Sequence, residues 1–147
     1  MKTAYTVSLS KVMKDVPLGA IYMPEDPEEI LISSPDVNRS GLELNGFLDY
    51  FDEKRFQIFG NTEMGLLMSF PTEQREDALD EFFSRRPPAV IIARGIKPLR
   101  EILFAAERYK VPLLGTEETT SSLLAALVSY MNVELAPRIT RHGVLVE

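Results

Sequence analysis

Cysteine is absent from this chain, and histidine occurs once, at His142. Without cysteine there is no disulfide framework, no thiolate zinc site and no thiol nucleophile. With a single histidine, neither a metal site nor a Ser-His-Asp triad is expected. Long apolar runs are missing too: nothing approaches the roughly 20 residues of a membrane helix, and "MKTAYTVSLSKVMKD" has no signal-peptide core or cleavage site. A cytoplasmic location fits these absences. Basic stretches are short, Arg85–Arg86 and Arg138 with Arg141 and His142, in a chain of net charge −6. Such a surface repels a phosphate backbone, so no nucleic-acid partner is expected. Phosphate-loop, dinucleotide-binding, nucleophile-elbow and H-E-x-x-H patterns are all lacking.

What remains is an ordinary globular composition, 45% hydrophobic and 26% charged over 147 residues, enough for one domain with its own core. Apolar bursts at 5–9, 19–23, 29–33, 55–59, 89–93, 111–115 and 142–146 read as strands. Those at 29–33, 89–93 and 111–115 are nearly continuous, the pattern of strands covered on both faces. Between them lie helical stripes. Leu99, Ile102, Leu103 and Ala106 share one face, with Pro98 suited to a first turn. Leu123, Leu124, Leu127, Val128 and Met131 make another, with Thr119 or Thr120 as cap. Ala78, Leu79, Phe82 and Phe83 make a third, with Thr72 as cap, and Pro87–Pro88 ends it. Shorter helices are expected near 10–16 and 62–69, and 24–29 as a solvated acidic turn. The strand–helix–strand order over 89–115 is that of a parallel crossover. The expected fold is an α/β, three-layer α/β/α sandwich with a mixed, mostly parallel sheet, forming a single domain over 1–147.

In such sheets ligands bind beyond the carboxyl ends of the strands. Four segments qualify: Ser33–Arg39, Gly60–Gly65, Ala93–Lys97 and Gly115–Ser122. Their candidate ligand or interface residues are Asn38, Arg39, Thr62, Arg94 and Thr116. Together they could hold an anion or a polar small molecule. Each has a plainer reading as well. Ser34–Pro35–Asp36 suits a turn bonded to its own backbone, and Asn61 and Thr62 suit helix caps. Arg94 fits either a ligand or a salt bridge with a nearby acid. No catalytic residue and no metal ligand is assigned.

The order of four stretches adds a resemblance. "DVNRSGLELNGFLDYF" (36–51), "RFQIFGNTE" (55–63), "IIARGIKPLREILFAAERYKVPLLGT" (91–116) and "LAPRITRHGVLVE" (135–147) together resemble the N-terminal domain of HPr kinase/phosphorylase, the regulator of bacterial carbon catabolite repression. The resemblance implies a fold similar to the Mur ligase N-terminal domain. It also implies a parent enzyme that phosphorylates a serine of HPr with ATP and Mg and removes that phosphate by phosphorolysis. Both activities would belong to a C-terminal phosphate-loop domain, which this sequence lacks. The fragment alone is then expected to be inactive, a regulatory or assembly domain without cofactor. Its implied partners are its own C-terminal kinase domain, HPr through the full-length enzyme, and further copies in a homo-oligomer. In the "D-V-N-R-S-G-L" stretch, Ser40 stands where a proline is commoner in the family, which should loosen the loop. Asn38, Arg39, Gly41, Glu43, Leu44 and Gly46 would form a strand-to-helix corner supporting an interface or an effector pocket. A self-standing domain sensing a nucleotide or sugar phosphate is the alternative.

Overall fold

A computed structural model describes residues 5–49 and 51–136. Its centre is a five-stranded sheet in the order β2 (Gly19–Tyr22), β7 (Leu113–Gly115), β6 (Val90–Ile92), β5 (Phe56–Phe59), β4 (Val37–Arg39). β4 to β7 run parallel, and β2 closes one edge antiparallel to β7. A separate two-stranded ribbon pairs β1 (Val7–Ser8) with β3 (Leu31–Ile32).

Alternation along the strands divides the apolar residues between two cores. Phe56, Ile58, Ile91 and Leu114 face a layer made by α1 (Leu9–Asp15), the ribbon and α6 (Thr120–Glu134). Phe59, Val90, Ile92 and Leu113 face α2 (Gly41–Leu44), α3 (Asn61–Ser69), α4 (Thr72–Ser84) and α5 (Arg100–Tyr109). In this second core Phe59, Phe82 and Phe83 meet edge to face, with centroids 5.4–6.3 Å apart. Such pairs add about 0.5–1.5 kcal/mol each beyond their buried area. The result is the expected three-layer sandwich with a mixed, mostly parallel sheet.

Several local expectations are corrected. The 29–33 burst is not a doubly covered strand, for Leu31 is 60% exposed and pairs only with β1. The strand expected at 5–9 is two residues long, because Ser8 accepts from the Lys11 N–H and starts α1 there. Pro98 precedes α5 rather than opening it, and Pro71, not Thr72, is the N-cap of α4. Asp26 caps a 3-10 turn at Pro27–Glu29 within the acidic segment. Thr119 does cap α6, its hydroxyl accepting from the Ser122 N–H. The strand expected at 142–146, with His142, lies outside the described residues.

The chain's path places one feature of functional interest. The β6–α5 segment enters the second layer, while the β7–α6 segment enters the first. Neighbouring strands therefore send their chains to opposite faces, and a crevice opens where the two paths part.

Candidate functional site

The carboxyl edge of the parallel strands has two ends of different character. At the β4–β5 end five polar side chains bond within the corner, although Glu43 Oε1 is buried there without a partner among the described residues. Asn38 and Gln57 are cross-strand partners, and the Gln57 Oε1 accepts from Asn38 Nδ2 and from the Ser40 hydroxyl, both at 2.9 Å. Ser40 and Gln57 are buried. A side-chain amide in an apolar layer is costly unless paired, and this one is. Ser40 therefore does not leave the corner loose. Its hydroxyl is tied to Gln57, and its N–H, which a proline would lack, donates to the Ile58 carbonyl at 3.3 Å. The expected strand-to-helix corner is present: β4, then Ser40, then α2.

Beside it, Glu63 is buried, and its Oε1 accepts from the Gly60 N–H at 2.7 Å and from Arg39 Nη2 at 3.4 Å. This carboxylate caps α3, the role expected of Asn61 and Thr62, both of which are exposed. A glutamate three residues into a helix reaches back to the free N–H groups of its start, a signal present in "GNTE". Gly60 permits the approach of α6: a Cβ there would collide with the Thr120 hydroxyl.

The first expected segment is not one loop. Ser34 accepts from the Asp36 N–H in a turn, after which Val37–Arg39 is itself the edge strand. Asn38 and Arg39 thus lie on β4, one braced by Gln57 and the other paired with Glu63.

At the β6–β7 end the arrangement is open. Arg94 and Gly95 both take left-handed backbone, with φ of 62° and 63°, and the Ile96 N–H donates to the Ala93 carbonyl at 3.2 Å. This is a type I′ turn. The next loop pins it: the Arg94 N–H donates to the Glu118 carbonyl at 2.7 Å and the Gly95 N–H to the Thr116 carbonyl at 2.8 Å. Glycine suits position 95 for its positive φ, and a Cβ there would also displace the exposed Glu117 carboxylate. The Thr116 hydroxyl accepts from the Glu118 N–H. Arg94 is exposed and forms no ion pair among the described residues.

Between this turn and β2 lies a cleft of about 560 Å³, walled by Leu18, Ile21, Ile92 and Ile96, with Thr116 and Glu117 as its polar lining. Of the five expected residues, Thr116 lines it and Arg94 adjoins it; Asn38, Arg39 and Thr62 belong to the other end. Glu117 lies in the expected Gly115–Ser122 segment without having been singled out there, and Ile21 was not expected. β2 comes from far upstream, and no local pattern announces its place beside β7. No group of histidines, aspartates and glutamates among the described residues is placed to hold a metal, and no helix there is long and apolar enough to cross a membrane.

Comparison with known proteins places the chain in a family. Residues 7–131 match the family described as HPr Serine kinase N terminus. The chain belongs to that family. Among curated relatives, the HPr kinase/phosphorylase of Caldicellulosiruptor bescii is 40% identical over 142 residues, covering 97% of this chain. Those of Lachnoclostridium phytofermentans and Clostridium acetobutylicum are 38% and 33% identical. The chain spans 46% of the length of each, about half of the relatives it matches. The fold recurs in a crystal structure of the CBS and DRTGG domains from the regulatory region of a Clostridium perfringens pyrophosphatase, complexed with the activator diadenosine tetraphosphate. The TM-score is 0.63 at 14% identity, covering 94% of this chain and 52% of that one. At that identity the likeness concerns the fold.

Proposed function

We propose that this chain is a regulatory or assembly domain of an HPr serine kinase/phosphorylase acting in carbon catabolite repression, and that it performs no chemistry alone. One observation carries the reading: the family match takes in most of this chain yet under half of each relative. ATP and Mg belong, on this reading, to the other half. The partners are that catalytic half, further copies of the enzyme and, through the whole enzyme, HPr, all in the cytoplasm. The pairing of Asn38, Arg39, Gln57 and Glu63 among themselves supports it, since groups so engaged brace a scaffold rather than attack a substrate.

The test has two arms. Incubated with HPr, ATP and Mg, the 147-residue chain transfers no phosphate to serine; measurable transfer overturns the proposal. In the second arm the matched region is deleted from the C. bescii relative. Phosphoryl transfer survives, while assembly state or the balance between kinase and phosphorylase changes. An unchanged enzyme, or a folded one without any transfer, refutes a regulatory or assembly role.

A further inference from the structure

We infer that the cleft between β2 and the carboxyl ends of β6 and β7 is a binding site for a nucleoside phosphate. The inference stands apart from the regulatory reading, because it concerns what this chain binds unaided.

Position is the first argument. The cleft sits where β6 and β7 send their chains to opposite faces of the sheet, the crevice in which open α/β sheets hold ligands. Its volume of about 560 Å³ falls within the range of small-molecule sites. A larger hollow of about 680 Å³ at the opposite edge is a weaker candidate. There Arg86 already donates to the Tyr109 carbonyl, and Arg85 lies 3.9 Å from Glu81.

The walls state the ligand's shape. Ile21 and Ile96, with the edge of Leu18, offer aliphatic surface to the cleft, and that surface suits a flat ring with an apolar face. A nucleobase has one; a sugar phosphate does not. The Glu117 carboxylate forms no ion pair among the described residues and can only accept hydrogen bonds. It can accept from a donor such as a ribose hydroxyl. The Thr116 oxygen accepts from Glu118, which leaves its hydrogen to donate.

Arg94 supplies the last element. Among the described residues, three non-glycine residues have positive φ, namely Arg86, Arg94 and Lys110. Arg86 follows the end of α4 and Lys110 ends α5, where left-handed backbone closes a helix. Arg94 ends no helix. It occupies a costly conformation at the corner of the turn that delivers Gly95 and Ile96 to the cleft wall, and strain of this kind gathers at functional sites. Its guanidinium is exposed and in no ion pair among the described residues, and such a group suits a phosphate.

The experiment measures binding of ADP, UDP, adenosine, ribose 5-phosphate and inorganic phosphate to the purified chain by calorimetry, with the melting temperature as second readout. ADP or UDP binds and raises the melting temperature, and ribose 5-phosphate binds at least about tenfold more weakly. Arg94→Asn lowers nucleoside diphosphate affinity about tenfold or more and leaves adenosine affinity unchanged. Ile96→Trp, which fills the cleft, abolishes both. The inference fails if neither diphosphate binds at about 1 mM, a concentration that detects even weak sites. It fails equally if ribose 5-phosphate binds as tightly as ADP, or if folded Arg94→Asn keeps full affinity for both diphosphates.

Discussion

One strand edge carries two opposite solutions to the same problem. At the β4–β5 end, Asn38, Ser40 and Gln57 form a closed set, and so do Arg39, Glu63 and the Gly60 N–H. At the β6–β7 end the backbone is just as firmly tied, through Glu118, Thr116 and Ala93 carbonyls, but the side chains of Arg94 and Glu117 are left to solvent. The difference teaches that polar residues at a strand end do not by themselves mark a site. Whether they find partners within the chain decides, and that depends on which strand lies alongside. The two arginines beyond this edge make the point again. Arg75 donates to the Leu67 and Phe70 carbonyls and to Glu101, so it is spent on the scaffold. The Arg94 side chain forms no ion pair among the described residues.

The largest effect that sharpens the contrast is expected at the closed end. Gln57→Ala empties a buried position and strands two donors, the Asn38 amide and the Ser40 hydroxyl. A cost of about 3 kcal/mol follows, read as a lower urea midpoint. A loss under about 0.5 kcal/mol, the size of an ordinary surface substitution, would show that the amide cluster contributes nothing. Next comes Gly60→Ala. The added Cβ drives into the Thr120 hydroxyl, and forcing an atom into a packed site costs about 2 kcal/mol. In the double variant with Thr120→Ala the obstacle is gone, so much of that loss returns. Strict additivity of the two changes would break the claim that Gly60 exists to let α6 approach.

A smaller, pH-dependent effect belongs to the spent arginine. The Glu101 carboxyl is held below the usual glutamate range, first by its own backbone N–H and then by the Arg75 guanidinium. A carboxyl with a depressed folded pKa stabilises the fold above the unfolded value and loses that contribution as pH falls through the folded one. Glu101→Gln should cost about 1.5 kcal/mol at neutral pH, since the bond at 2.8 Å joins two charges at half-buried positions. As pH falls below the usual glutamate value of about 4.3 the variant and the parent should begin to converge. A difference that persists unchanged at pH 2–3, measured where both still fold, would mean that geometry rather than charge makes the contact.

Much of this architecture is written in the sequence. The bursts at 55–59, 89–93 and 111–115 are strands because their residues are apolar on both faces, and both faces are covered. Val37–Arg39 is not legible in that way. One apolar residue followed by two polar ones carries no strand signal, and its place in the sheet comes from pairing with β5. The 29–33 burst misleads for the converse reason, for hydrophobicity says nothing about which neighbour is available. The candidate site divides along the same line. Thr116 and Arg94 follow strands with clear signals, so their position could be read. Ile21 reaches the cleft only through an antiparallel pairing with β7, a long-range contact that no local window contains. Glu63 was within reach, three residues past Gly60, as the capping glutamate of α3.

The smallest effect has the opposite sign. A type I′ turn wants asparagine followed by glycine at its centre, because both positions need positive φ. Here Arg94 stands in the first of them. Arg94→Asn relieves the left-handed penalty of a long side chain and removes no ion pair that the described residues make, so stability should rise by about 0.5–1 kcal/mol. At the closed end changes at the buried Ser40, Gln57 and Glu63 are losses, because those side chains are part of the packing. At the open end a scaffold role for Arg94 predicts a loss as well. A rise in the urea midpoint, beside weaker binding of nucleoside diphosphates, is what a residue retained for ligand contact at the expense of stability would give. A fall would place Arg94 with Arg75, among the groups that hold the fold together.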